Sequence, residues 1–145
     1  ETAMARMETL ELVRAYYDCF NARDIPGTLA LLTEDVIHDV SQGGREIGKA
    51  DFALCMERMN RCYHEQVDDL VVMATDGGEN AAAEFTVDGR YLETDRAHPS
   101  EIEMPEATGQ AYRVRGRALF EIRDERIARV TDWYDLQAWL RQVTV

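Results

Sequence analysis

From Tyr112 to Arg123 the chain alternates without a break. Tyr112, Val114, Gly116, Ala118, Phe120 and Ile122 fall on one face, and Arg113, Arg115, Arg117, Leu119, Glu121 and Arg123 on the other. Period two of this length demands a strand with one face buried and the other in water. Asp124 and Glu125 make a tight connection, and Ile127 to Asp135 returns, with Ala128, Val130, Asp132 and Tyr134 on one face and Ile127, Arg129, Thr131, Trp133 and Asp135 on the other. An antiparallel hairpin is therefore expected, with Asp132 opposite the small residues Gly116 and Ala118.

Upstream, Met7, Leu10, Val13, Tyr17 and Phe20 recur at helical spacing with Tyr16 beside them, and Asp24 before Ile25 and Pro26 caps a second, short helix reaching Leu31 and Leu32. A short strand, VIHDV, follows, ended by a turn at Gln42, Gly43 and Gly44. Gly48 opens a third helix carrying Phe52, Cys55, Met56, Met59 and Cys62. Val67 to Ala74 and Ala81 to Leu92 read as paired strands around the turn Asp76 to Asn80. Glu93 to Gly109 holds two of the 3 prolines, has no periodicity, and is expected to be a long mobile or functional loop. Leu136, Trp139, Leu140 and Val143 form a terminal helix that Asp135 can cap. The expected architecture is one α+β domain over residues 1–145: three N-terminal helices on a curved antiparallel sheet, enclosing a pocket.

The 145 residues include 28 acidic and 16 basic ones, a net charge of −12. Nucleic-acid binding needs clustered cations, and this chain has a single lysine, Lys49, so no nucleic-acid partner is expected. No apolar run approaches the roughly 18 residues of a membrane span, and the first residues lack the apolar stretch of an export signal. A cytoplasmic location is expected. Cys19, Cys55 and Cys62 lack CxxC spacing and read as structural thiols, and His38, His64 and His98 show no metal-binding spacing, so neither a metal nor another cofactor is expected. The face bearing Arg129, Thr131 and Trp133 suits the pairing of two sheets in a homodimer.

Three residues stand out as candidates for chemistry. Asp39 lies among Val36, Ile37 and Val40, where desolvation would raise its pKa and make it a general base. Alternatively it bonds backbone amides of the Gly43–Gly44 turn. Asp132 shares its face with Val130 and Tyr134, and Tyr16 or Tyr17 can donate a hydrogen bond to a developing oxyanion or serve as a core aromatic.

The runs AYYDCFNARDIPGTLALLTEDVIHDVSQGGREIGKADF and FEIRDERIARVTDWYDLQAWL resemble the ketosteroid isomerase-related branch of the nuclear-transport-factor-two-like superfamily, which includes SnoaL-like polyketide cyclases. The resemblance implies a cone-shaped α+β fold and cofactor-independent proton transfer next to a carbonyl. It places the family's catalytic aspartate on Asp39 and its oxyanion tyrosine on Tyr16. A second oxyanion acid falls on Ala118, which cannot donate, so Asp132 is the expected substitute. The third-helix tyrosine falls near Met56, and a pocket aromatic falls on Tyr134. Phe85 and Phe120 complete the expected lining for a small hydrophobic molecule. A non-catalytic binder, a cyclase acting on a larger polyketide, and an epoxide hydrolase using Asp132 remain alternatives from the same resemblance.

Overall fold

In the computed structural model, which describes residues 2–144, the chain forms α1 (Thr2–Ala22), α2 (Ile25–Ala30), β1 (Leu32–Val40), β2 (Gly44–Ile47), α3 (Lys49–Cys62), β3 (Tyr63–Ala74), β4 (Asn80–Tyr91), β5 (Gln110–Arg123), β6 (Arg126–Tyr134) and α4 (Leu136–Val143). The strands make one curved, unclosed sheet in the order β2-β1-β6-β5-β4-β3. The α+β expectation with three N-terminal helices holds, and α4 adds a fourth. The sheet is not wholly antiparallel: β1 lies parallel to β6. Two local readings also change. Leu32 opens β1 instead of continuing α2, and the residues after the Gly43 turn pair back on β1 as β2.

Local chemistry accounts for several boundaries. The Asp24 carboxylate accepts the Gly27 amide at 2.9 Å with proline in the first turn of α2, and Asp135 caps α4 by accepting the Ala138 amide at 3.1 Å. The β5–β6 hairpin pairs Ala118 with Asp132 and Gly116 with Tyr134, as the alternation requires. A register shift between Glu121 and Ile122 interrupts that alternation, and Ile127, expected on the outer face, is fully buried together with Val130. An extra residue in one strand turns the following side chains to the opposite face.

The concave face of the sheet holds the core, with Val13, Tyr16 and Tyr17 of α1 and Phe52 and Met56 of α3 packed over it. Two glycines shape this face. Gly116 stands opposite Phe85 and Gly89 opposite Tyr112, and a Cβ on either glycine would overlap the ring of that partner. Each aromatic ring lies in a recess that only hydrogen leaves open. Gly116→Ala should therefore cost about 1–3 kcal/mol through forced displacement of Phe85. Urea unfolding would measure it, and unchanged stability would mean that the ring yields freely.

Candidate functional site

A cavity of about 200 Å³ opens between the helices and the sheet, lined by residues from α1 (Tyr16, Tyr17, Phe20), α3 (Phe52, Cys55, Met56, Arg58, Met59) and every strand except β2. His98 and Pro99 of the 92–109 loop close it on one side, with Trp139 of α4. Its walls are mainly apolar, with a few polar groups, as ligand pockets are.

One end is built around His38. Period two puts His38 on the inner face with Val36 and Val40, in register with Glu46 on β2 and Val130 on β6. Asp132, two residues past Val130, shares that face. The imidazole donates from Nε2 to Asp132 Oδ2 at 2.7 Å and from Nδ1 to Glu46 Oε1 at 3.0 Å. Burial alone would push its pKa down, but the hydrogen bonds to Asp132, Cys55 and Glu46 outweigh burial and raise it to about 12. His38 is thus an imidazolium clasped between two carboxylates. Its hydrogen bond in turn holds the Glu46 carboxyl below the usual range. Asp132 keeps Oδ1 free of any hydrogen bond among the described residues, on the pocket wall.

These shifts have opposite consequences for stability. A raised histidine stabilises the fold fully below its ordinary value of 6.5, and the contribution declines as pH rises through the folded pKa. A depressed Glu46 contributes above its ordinary 4.5, and that contribution is lost as pH falls through the folded value. NMR of the His38 ring should accordingly show no titration between about pH 5 and 8. In Glu46→Gln the midpoint should move down, and the decline of melting temperature above neutral pH should become shallower. A native midpoint near 6.5 would overturn this account.

Asp39 is the main correction. Its carboxylate points to the outer face, away from the cavity, where it accepts from Arg45 at 2.6 Å and from Arg129 at 2.5 Å. Arg45 pairs with Asp39 across β2, and Arg129 lies on the neighbouring strand, so both cations share its face. Hydrogen bonding to Arg45 lowers its pKa, outweighing desolvation, with Arg129 adding to the effect. The expected unpaired base among apolar side chains is instead an anion held by two arginines, and the turn amides do not hold it either. With Glu121 also on Arg129, the outer face carries an ion-pair ladder Glu121–Arg129–Asp39–Arg45.

Tyr16, Tyr17, Met56, Phe85 and Tyr134 do line the cavity. Phe120 and Ala118 do not: both are buried beneath it, Phe120 edge-on to Tyr16 and Tyr17 at centroid distances of 5.5 and 6.1 Å. Phe120 thus backs the two tyrosine rings. The Tyr17 hydroxyl is buried, with no hydrogen-bond partner among the described residues. Burial, and then the Asp132 charge, push both tyrosine pKa values up, so both hydroxyls keep their protons for donation.

The aperiodic loop is anchored by Asp95, whose side chain is fully buried. It accepts the Tyr63 hydroxyl at 2.6 Å and pairs with Arg58, while the Tyr91 hydroxyl accepts the Asp95 amide at 3.1 Å and donates to Pro105 O at 2.7 Å. The loop then delivers His98 to the pocket. The Ser100 amide donates to His98 Nδ1 at 3.1 Å, so Nε2 carries the proton toward Tyr134 Oη at 2.8 Å. Burial lowers the His98 pKa, in keeping with a neutral ring.

His38, Glu46 and Cys55 place one metal-ligand atom each within 4.8 Å of the others. Nδ1 of His38 is already taken by Glu46, and the group acts here as an ion pair beside a thiol. Sequence reasoning misses His38, Glu46, Arg58, Glu65, Asp95 and His98 as site residues. For His38 a signal existed, since it alternates in phase with Val36 and Val40. For Glu46 and Asp95, in a presumed turn and an aperiodic loop, none did.

Residues 13–130 match the family model of the SnoaL-like domain. No curated protein matches the chain. The crystal structure of a proposed polyketide cyclase from Pseudomonas putida KT2440 is 52% identical, with a TM-score of 0.88 over 94% of this chain and 98% of that one. A second, from Xanthomonas campestris, is 46% identical with a TM-score of 0.89 over 97% and 99%, and a third, from Silicibacter, 40% identical with 0.89 over 97% and 98%. With more than half its length matched and relatives of this similarity, the chain belongs to the SnoaL-like domain family.

Proposed function

We propose that the pocket carries out cofactor-independent proton transfer at a carbon next to a carbonyl of a small, mainly apolar substrate, with Asp132 as the base. The observation that carries this reading is a carboxylate on the wall of an apolar cavity, oriented by a buried imidazolium through one oxygen and open through the other. Oδ1 removes the proton, the C–H electron pair becomes the enolate double bond, and negative charge develops on the carbonyl oxygen. A hydroxyl of Tyr16 or Tyr17 donates to that oxygen, and the Tyr17 hydroxyl, unpartnered among the described residues, has no other bond to give up.

The proton then returns from Asp132 by one of two routes. It goes to a distant carbon of the enolate in an isomerisation, or to the alkoxide formed when the enolate carbon attacks a second carbonyl in a ring closure. Proposed polyketide cyclases at 40% identity and above favour the ring closure. Exchange of the α-protons of 2-tetralone in D₂O, followed by NMR, tests the shared first step. Acceleration by the native protein that disappears in Asp132→Asn supports it, and acceleration that survives refutes it.

A further inference from the structure

The end of the cavity away from His38 contains a carboxylate that the proton-transfer reading does not use. Glu65 lies on β3, three strands from Asp132 on β6 and displaced along the strand direction as well: the register carries Glu65 through Gly89 to Tyr112 on β5, whereas Asp132 pairs with Ala118. Glu65 lines the same cavity. Its Oε2 accepts the Tyr112 hydroxyl at 2.5 Å, and among the described residues no hydrogen bond takes up Oε1. The Tyr112 ring reaches it across Gly89, which pairs with Glu65 on one side and with Tyr112 on the other. A side chain at position 89 would close that route, so the glycine, the tyrosine and the glutamate form one built unit.

We propose that Glu65 is a second, distal binding group, and that the pocket takes a ring compound with a carbonyl at the Asp132 end and a neutral oxygen, a hydroxyl or keto group, at the Glu65 end. The choice of carbonyl rests on the proton-transfer reading; the distal oxygen does not. Glu65 has one oxygen fixed by Tyr112 and one left for a ligand. Burial raises its pKa, so the carboxyl gains most from a neutral hydrogen-bonding partner and disfavours an anion. Of the two cations near it, Arg58 is already paired with Asp95, and Arg23, itself outside the cavity lining, is bonded to Asn60 and His64, so neither invites a ligand carboxylate. Volume agrees: a cavity of about 150 Å³ holds benzene, so about 200 Å³ suits a substituted one- or two-ring body.

The test compares binding of 6-hydroxy-2-tetralone and 6-methyl-2-tetralone, which have the same size, by calorimetry. In an apolar pocket without a distal polar group the methyl compound binds better. Here the native protein should bind the hydroxyl compound at least about fivefold tighter, the worth of one net hydrogen bond. Glu65→Leu should reverse the order, and Asp132→Asn should keep it. A native protein that prefers the methyl compound overturns the proposal without recourse to any variant, as does a Glu65→Leu protein that keeps the native preference. Absence of proton exchange on 2-tetralone together with a retained hydroxyl preference would sink the proton-transfer reading and leave the distal group standing.

Discussion

Asp132→Asn is expected to lower proton exchange on 2-tetralone by about 10²–10⁴-fold, the range for loss of a positioned general base. At 1.36 kcal/mol per tenfold change this is roughly 3–5 kcal/mol of transition-state stabilisation. The amide has the shape of the carboxylate but no basic oxygen, and its carbonyl can still accept from His38 Nε2, so the fold should be kept. Asp39→Asn is the informative companion. It loses ion pairs to Arg45 and Arg129 on the outer face, lies outside the cavity lining, and should leave exchange within about threefold of native, since the general base and its partners stay in place. The reverse pattern, with Asp39→Asn inactive and Asp132→Asn active, would restore position 39 as the base.

The largest effect on stability is expected at Asp95. Removing one partner of a buried ion pair leaves the other charge uncompensated, at a cost of about 3–5 kcal/mol. In Asp95→Ala the partner left behind is Arg58, also largely buried, and the Tyr63 hydroxyl loses its acceptor as well. For a fold with 5–15 kcal/mol in total, that is a large share. Should the single variant fail to fold, the pair Arg58→Met with Asp95→Leu supplies the check. Replacing both charges by apolar groups is often near neutral, so the double variant should recover much of the loss in urea unfolding. A single variant within about 1 kcal/mol of native would mean that the loop is held by its backbone contacts.

What the sequence revealed follows the range of the physics involved. The β5–β6 hairpin, the caps at Asp24 and Asp135 and the helical stripes depend on neighbours a few residues apart, and they are legible. So is the opposition of Asp132 to Ala118, which the short connection at Asp124 dictates. The alternation in VIHDV correctly separates His38 from Asp39. Which side is inward it signals only faintly, through two valines in phase with His38 against one isoleucine in phase with Asp39; what decides it is β1 lying parallel to β6 and β2 adding Arg45 to one face and Glu46 to the other. Asp39 was placed in apolar company by its sequence neighbours, but a strand residue answers to its cross-strand neighbours. Asp95 was illegible for a related reason: its partners, Arg58 and Tyr63, come from elements far along the chain.

The two recesses at Gly89 and Gly116 separate two properties that are usually tied together. In most cores, enlarging a cavity means removing side chains that also hold the layers together. In this sheet the Phe85 ring on the cavity wall and the Tyr112 ring that holds Glu65 are laid over bare backbone, while register is fixed by the strand pairings beneath them. The volume and polarity offered to a ligand can therefore drift by exchange of what fills each recess, with the scaffold unchanged. One shell can thus be retuned from one substrate to another without being refolded.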